Sequence, residues 1–203
     1  MARPRSAASA GTRQRLSESA LALFHERGYN GTSVQDIVSH AGAPKGTFYN
    51  HFASKEALAL DSVAQYRGAL RLEMLDSAKG GTPLGRITAH LRFLADLAET
   101  FHDRGCLLGN FASEIPAHSN VVGRAVEASF AQWVAALAGA IEEARDAGEL
   151  RPGEPAASLA GFIIDAYEGA AARSKVTDTT EPMRQFLSIT LTRILASDST
   201  RTE

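Results

Sequence analysis

Residues 32–52 read TSVQDIVSHAGAPKGTFYNHF, and this stretch decides the fold. Thr32 is a predicted N-cap with Gln35 three residues on, so each side chain can satisfy a backbone donor of the other. Val34, Ile37, Val38 and Ala41 then share one helical face. Gly42 suits the positive φ that ends a helix, and the fixed φ of Pro44 suits a new first turn. A second helix therefore starts beside Pro44 at a steep angle, the arrangement of a helix-turn-helix. Phe48 and Phe52, four apart, enter the core and leave Lys45, Thr47, Tyr49, Asn50 and His51 pointing outward. An outward face of these residues, with no acid, suits phosphates and base edges. The alternative is an αα-corner with a solvated polar face, because this geometry is common in helical proteins.

The surrounding segment Gly28–Leu58, GYNGTSVQDIVSHAGAPKGTFYNHFASKEAL, resembles the TetR family of bacterial transcriptional regulators almost residue for residue. The resemblance is carried by Gly28-Tyr29, Thr32-Ser33, Ile37, Ala41-Gly42, Gly46-Thr47-Phe48-Tyr49, His51-Phe52 and Lys55-Glu56-Ala57-Leu58. Ala43-Pro44 departs from the usual Val-Ser, removing a capping hydroxyl while keeping the turn. The motif covers only the first quarter of the chain. It implies that Lys45, Gly46, Thr47, Tyr49, Asn50 and His51 meet a major groove, with Thr32, Ser33 and Lys55 on phosphates at helix N-termini. Tyr49 and Lys55 are the leading phosphate contacts, and the N-terminal arginines steer or touch the backbone. The family also implies a repressor acting on double-stranded DNA.

The chain has 203 residues and one cysteine, Cys106, so no intrachain disulfide forms, which fits a reducing cytoplasm. The opening MARPRSAASAG lacks the apolar stretch of a secretory signal, and no run is long and apolar enough to cross a bilayer. A soluble, cytoplasmic protein is expected. Net charge is −2, but it is unevenly spread. Residues 1–52 hold Arg3, Arg5, Arg13, Arg15, Arg27 and Lys45 against Glu18, Glu26 and Asp36, so the first 52 residues carry +3 and the remainder −5. A basic end on an acidic body is expected where one end meets phosphates.

Helical periodicity and alanine dominate, and no segment sustains a two-residue alternation. The predicted fold is all-α with about nine helices. They make a DNA-binding domain over 1–54 and a ligand-sensing and dimerisation domain over 55–203. Helix one runs from about Thr12 to Arg27, buries Leu16, Ala20, Leu23 and Phe24, and is stopped by Gly28. Two motif helices follow. Helix four starts after Ser54 and runs to about Ala78 as a connector. The loop Lys79-Gly80-Gly81-Thr82-Pro83 precedes a helix to about Arg104 with Leu84, Ile87, Leu91 and Leu94 on its apolar side. A short helix spans Cys106 to about Ile115 and stops at Pro116; a long one spans about Val121 to Ala147 and stops at Gly148. The last two cover about Pro155–Arg173 and Pro182–Ala196, each with Pro in its first turn. The penultimate helix is apolar on more than one face, with small residues beside Phe162, Ile163, Ile164 and Tyr167, so both faces must be buried. Composition leaves open a helix central to its own domain. Family resemblance favours a homodimer through the last two helices, which by symmetry reads a near-palindromic operator.

One further segment, Arg104-Gly105-Cys106-Leu107-Leu108-Gly109-Asn110, carries chemistry. With Gly105 as N-cap, Cys106 falls in a first helical turn, where unpaired N–H groups favour a thiolate. The alternative is a small buried hydrophobe. Gly-Cys-Leu-Leu-Gly-Asn followed by Glu114 resembles the electrophile- and oxidant-sensing branch of the TetR family, that of the N-ethylmaleimide reductase repressor. That resemblance implies Cys106 as sensor and Lys175 as a residue able to bond its oxidised sulfur. With no second cysteine, sulfenic acid at Cys106 would be capped by Lys175, a small thiol or Cys106 of another subunit.

Another reading places a reversible apolar effector among Phe93, Phe111, Trp133, Phe162 and Tyr167, with Phe101 and Phe130 nearby and His90, His102 or Glu168 as polar contacts. Equally, those aromatics are core. A Cys/His enzyme built on Cys106 with His102 or His118 lacks an identifiable oxyanion loop and third orienting residue. His25, His40, His51, His90, His102 and His118 have no paired i, i+4 spacing, so no metal is expected, and no cofactor either.

Overall fold

The computed structural model describes residues 5–115 and 120–195, the side chains of residues 5–9, Lys45 and Asn120 excepted. All regular structure among the described residues is helical. Eight α-helices occur: α1 Arg5–Arg27, α2 Val34–His40, α3 Lys55–Ala69, α4 Pro83–Thr100, α5 Leu107–Glu114, α6 Asn120–Asp146, α7 Ala156–Thr177 and α8 Glu181–Ile189. A 3-10 helix, Lys45–Asn50, stands where a second α-helix of the motif was expected, and a π-helical turn, Thr190–Ile194, extends α8. The expected count of nine therefore falls by one. Among the described residues no helix is long and apolar enough to cross a membrane, and no group of three or more His, Cys, Asp or Glu could hold a metal ion.

The chain divides into two compact units. The first comprises the chain up to Ala69 together with Leu107–Glu127, and the second Leu70–Cys106 with Ala128–Glu203. The boundary read from the sequence, 54/55, falls inside the first unit.

In the first unit α1 stops where Gly28 takes φ 75°. Leu16, Ala20 and Phe24 of α1 and Ile37 and Phe48 of the motif are fully buried, all at 0 % exposure. The N-cap of α2 is one residue later than predicted. Ser33 Oγ accepts from the Asp36 N–H at 3.1 Å, while Asp36 Oδ2 accepts from the Ser33 N–H at 2.8 Å, a complete capping box. Thr32 instead turns inward, and its hydroxyl donates to the carbonyls of Gly28 (2.8 Å) and Leu23 (3.2 Å). Gln35 donates along its own helix to Ser39 Oγ at 3.1 Å. Gly42 takes φ 58° as expected, and Pro44, at φ −59°, leads into the 3-10 helix. Ser54 caps α3 by accepting from the Ala57 N–H at 3.2 Å.

Helix α3 ends at Ala69 rather than near Ala78, so the expected long connector is broken. Arg71 adopts a left-handed conformation, φ 51°, and two 3-10 turns, Leu72–Leu75 and Ser77–Lys79, follow. That conformation costs a non-glycine residue about 1 kcal/mol. Offsetting contacts come from Glu73, paired with the Arg71 guanidinium at 3.2 Å, and from the Phe93 ring, 5.7 Å beneath it.

In the second unit α4, α6 and α7 contribute fully or nearly fully buried Ile87, Leu91, Leu94, Trp133, Leu137, Ile141, Ile163 and Ile164. Thr82 caps α4 through the Gly85 N–H (3.1 Å), and Glu149 accepts from the Leu84 N–H (2.8 Å). Arg86, only 7 % exposed, donates to the carbonyls of Leu75 (3.3 Å) and Gly81 (3.2 Å) and pairs with Glu143. Those bonds satisfy the carbonyls of the interrupted segment, a requirement that local sequence pattern does not express.

Candidate functional site

The 3-10 helix sorts its side chains sharply. Phe48 is fully buried, edge-on to Tyr49 and 6.0 Å from the Phe52 ring, whereas Tyr49 is 66 % exposed. Gly46 and Asn50 are exposed, and Thr47 and His51 are partly so. The side chain of Lys45, that of Arg5, and Arg3 lie outside the described part. From Gly46 to His51 no acid interrupts this face, so it presents hydroxyl, amide, phenol and imidazole groups together.

Two arginines of α1 bond to the backbone of the motif. Arg13 donates to the His51 carbonyl (3.0 Å), lies 4.3 Å from the centre of the Phe52 ring and pairs with Asp61 (3.2 Å). Arg15 donates to the Ala41 carbonyl at 3.3 Å. Arg13 thus holds the C-cap of the 3-10 helix, and Arg15 the C-cap of α2.

Three further expectations change. Thr32 is buried at 0 % exposure and cannot reach a phosphate. Ser33 is exposed, but its hydroxyl is engaged with Asp36 (2.5 Å), and the Asp36 carboxylate, held below its ordinary range chiefly by the Ser33 hydrogen bonds, already occupies the α2 N-terminus. The Lys55 ammonium lies 4.0 Å from the centre of the Tyr29 ring, and burial lowers its pKa against the attraction of Glu56 and Glu114. The face left for a partner is the segment from Gly46 to His51.

Cys106 is buried and immediately precedes α5, rather than lying within its first turn; Gly105 takes φ 70°, which is not an N-cap conformation. Its thiol hydrogen-bonds the Glu168 carboxyl of α7. Burial pushes Glu168 up to about 7, Asp165 adds to the rise, and the thiol bond offsets part of it. Tyr167 is also raised, by burial first and by Cys106 and Glu168 after it. The second carboxyl oxygen, Oε1, is buried without a hydrogen-bond partner. A carboxylate against the thiol opposes the thiolate that the helix end was expected to favour, because two like charges in one buried site do not ionise together. Lys175 is exposed in the last turn of α7, seven residues beyond Glu168 and so about 10 Å further along the helix.

The five aromatic residues expected around one effector do not gather. Phe111 packs in the first unit, with its ring 5.5 Å from Phe24 and 6.1 Å from Tyr29. Phe162 is 57 % exposed in an apolar groove of α7 and α8 with Gly169, Phe186 and Ile189. Phe93 faces Arg71. Only Trp133 and Tyr167 meet, 5.5 Å apart and edge-on, continued by Phe186 at 5.9 Å from Tyr167. Trp133 Nε1–H donates to His90 Nε2 at 3.2 Å, which fixes the His90 proton on Nδ1; Nδ1 is buried without a partner. Burial lowers His90 to about 4 and keeps it neutral. His102 instead pairs near the surface with Asp178 at 3.1 Å, and His118 lies outside the described residues.

Comparison with known proteins agrees with this geometry. The description "Bacterial regulatory proteins, tetR family" matches residues 16–61, and "Tetracyclin repressor-like, C-terminal domain" matches residues 83–190. The chain is 35% identical to the HTH-type transcriptional repressor DhaR of Mycobacterium sp. (strain GP1), over 91% of this chain and 93% of that protein. It is 30% identical to the transcriptional regulator AcuR of Cereibacter sphaeroides, over 91% of this chain and 86% of that one. Among solved structures, the reduced form of E. coli NemR superposes with a TM-score of 0.79 at 25% identity, covering 93% of this chain and 100% of that chain. A match across more than half the chain, joined to a helix-turn-helix whose outward face is built as described, makes this chain a member of the TetR family, a DNA-binding transcriptional regulator and not an enzyme.

Proposed function

We propose that this chain is a cytoplasmic repressor that binds a near-palindromic operator as a homodimer and releases it when Cys106 is modified by an oxidant or electrophile. The DNA-reading part is carried by one observation: Phe48 anchors the 3-10 helix while Tyr49, Asn50, Thr47 and His51 face outward beside Gly46. Lys45 joins them by sequence position, and Lys55 contributes charge from the start of α3. Repression follows the relatives, DhaR being named a repressor.

Cys106 supports the release step because it is the single cysteine, is bonded to a carboxyl titrating near neutrality, and leads directly into α5. With a Michael acceptor, the thiol proton passes to Glu168, a sulfur–carbon bond forms, and the electron pair of the alkene moves onto its activating group. With hypochlorous acid, a sulfur–oxygen bond replaces the S–H bond while HCl leaves, giving the sulfenic acid. Lys175 is the resident amine nearest in sequence to Glu168 on α7, and would need to approach along about two helical turns to cap the oxidised sulfur. Cys106→Ser is expected to leave operator affinity unchanged and to abolish release by N-ethylmaleimide or hypochlorite, read by fluorescence anisotropy. A serine variant that still lets go would overturn this reading.

A second reading rests on two buried polar atoms of the second unit without partners, His90 Nδ1, on the ring that accepts from Trp133, and Glu168 Oε1, on the residue next to Tyr167 in sequence. A reversible ligand offering an acceptor to the imidazole N–H or a donor to the carboxyl would satisfy one of these buried groups. Release of the serine variant by such a ligand distinguishes it.

The α7–α8 groove, with Phe162 and Ile189 more than half exposed, fits the face on which a second copy packs. Phe162→Glu is expected to give a monomer by size-exclusion chromatography with light scattering and to weaken operator binding about 100-fold, since two linked heads bind with added avidity.

A further inference from the structure

Helix α5 lies some fifty residues beyond the DNA-reading motif in sequence, yet it packs in the same compact unit as α1–α3. Its Leu107, Leu108 and Phe111 are fully buried there. Phe111 stands edge-on to both Phe24 of α1 and Tyr29 of the turn that follows, and those two rings are themselves 5.8 Å apart. At the far end of α5, Glu114 reaches that same turn. Its Oε2 accepts from the Asn30 N–H at 2.8 Å.

The turn is shaped to admit the carboxylate. Gly28 takes φ 75°, and a methyl group placed on it would overlap the Glu114 carboxyl. Two residues past Asn30, Thr32 is pinned by its two hydroxyl bonds, and Ser33 then caps α2. The negative charge of Glu114 also acts on Lys55, whose ammonium lies over Tyr29. One side chain thus bonds the turn at the entry to α2 and acts electrostatically on Lys55 at the start of α3, the two helices that flank the 3-10 reading helix.

We propose that Glu114 is a positioning residue for operator binding: from α5 it fixes the Gly28–Ser33 turn and, through that turn, the angle at which α2 and the 3-10 helix are presented to DNA. The reading head on this account is completed by a helix outside residues 16–61, where the family match to the DNA-binding part lies. It does not depend on any chemistry at Cys106.

The test uses the full chain and a DNA duplex selected by the wild-type protein from a random-sequence pool. Operator affinity, its salt dependence and thermal melting are measured for wild type, Glu114→Ala and Glu114→Gln. Glu114→Ala is expected to bind about tenfold more weakly, in the range typical of coupling between a remote group and a site. Because Glu114 would touch no phosphate, the slope of log affinity against log salt should not change. Glu114→Gln, whose amide oxygen still accepts from the Asn30 N–H, should recover most of the loss, and the Asn30 amide should exchange faster in the alanine variant alone.

Alanine binding as tightly as wild type would overturn the proposal. So would a loss that matches the unfolded fraction and disappears on cooling, which marks a structural residue only. Tighter binding by both variants, with a steeper salt slope, would also overturn it, by showing that the carboxylate acts through repulsion of DNA.

Discussion

Phe48→Ala is expected to abolish operator binding by unfolding the reading head, while Tyr49→Ala, one residue along, is expected to weaken binding with the fold intact. Phe48 is fully buried and in contact with the rings of Tyr49 and Phe52, and truncating such a side chain costs about 3–5 kcal/mol once the residual cavity is included. A short 3-10 helix has few hydrogen bonds of its own to resist that loss. Tyr49 exposes 66 % of its surface, so its removal should change stability by less than about 0.5 kcal/mol. Its phenol is a neutral donor, so affinity for every sequence should fall by a similar factor without a change in salt slope. Circular dichroism melts run beside anisotropy titrations separate the two outcomes. Equal melting losses, or a Tyr49→Ala variant that binds normally, would contradict the assignment.

Glu168→Gln is expected to change the pH dependence of stability by about 3 kcal/mol, the difference between an ordinary glutamate at 4.5 and one pushed up to about 7. The folded protein holds the Glu168 proton more tightly than the unfolded chain, so this group stabilises fully below pH 4.5 and its contribution is lost as pH rises to about 7. His90 works in the other direction. Lowered from 6.5 to about 4, it stabilises above pH 6.5 and loses that contribution as pH falls to about 4. The two slopes are of similar size and opposite sign between pH 4.5 and 6.5, so together they leave the wild type nearly flat there. With Glu168 replaced, the His90 slope stands alone and stability rises with pH across that window. Urea unfolding at pH 4, 6.5 and 8 should show the variant gaining on the wild type by about 3 kcal/mol over the whole range. Parallel profiles would show that Glu168 does not carry a raised pKa. The facing groups Asp165, Tyr167 and Cys106 remain in place in both proteins.

Much of the reading head was legible in the sequence because its signals are local. Gly28, Gly42 and Ser54 act within a turn of where they stand, and the four-residue spacing of Phe48 and Phe52 sets the inward face. Thr32-Ser33 offers two adjacent hydroxyls for the α2 cap, and only packing shows that Thr32 turns inward to the Leu23 and Gly28 carbonyls and leaves the cap to Ser33. The long connector failed for a similar reason. Nothing in Gly68 to Ala78 forbids a helix outright, whereas Arg86 and Phe93, further along the chain, hold the broken segment through the Leu75 carbonyl and the Arg71 guanidinium.

The proposed effector aromatics show the limit most clearly. Periodicity marks Phe111, Trp133, Phe162 and Tyr167 alike as large side chains on helices, but it cannot say which face meets which neighbour. Phe111 belongs with α1, Trp133 and Tyr167 with each other, and Phe162 with an outer groove. The Glu114–Asn30 bond spans 84 positions and leaves no local pattern at either end.

By itself, the sequence determined the all-helical fold, the motif and the inward turn of Phe48 and Phe52, since short-range sterics and helical period act on neighbours a few residues apart. Only the tertiary structure decided that Arg13 and Arg15 bond the C-caps of the 3-10 helix and of α2, that Glu168 sits against Cys106, and that α5 packs in one unit with α1–α3. Those depend on which distant surfaces exclude water together, and burial of that kind is fixed only when the chain has packed.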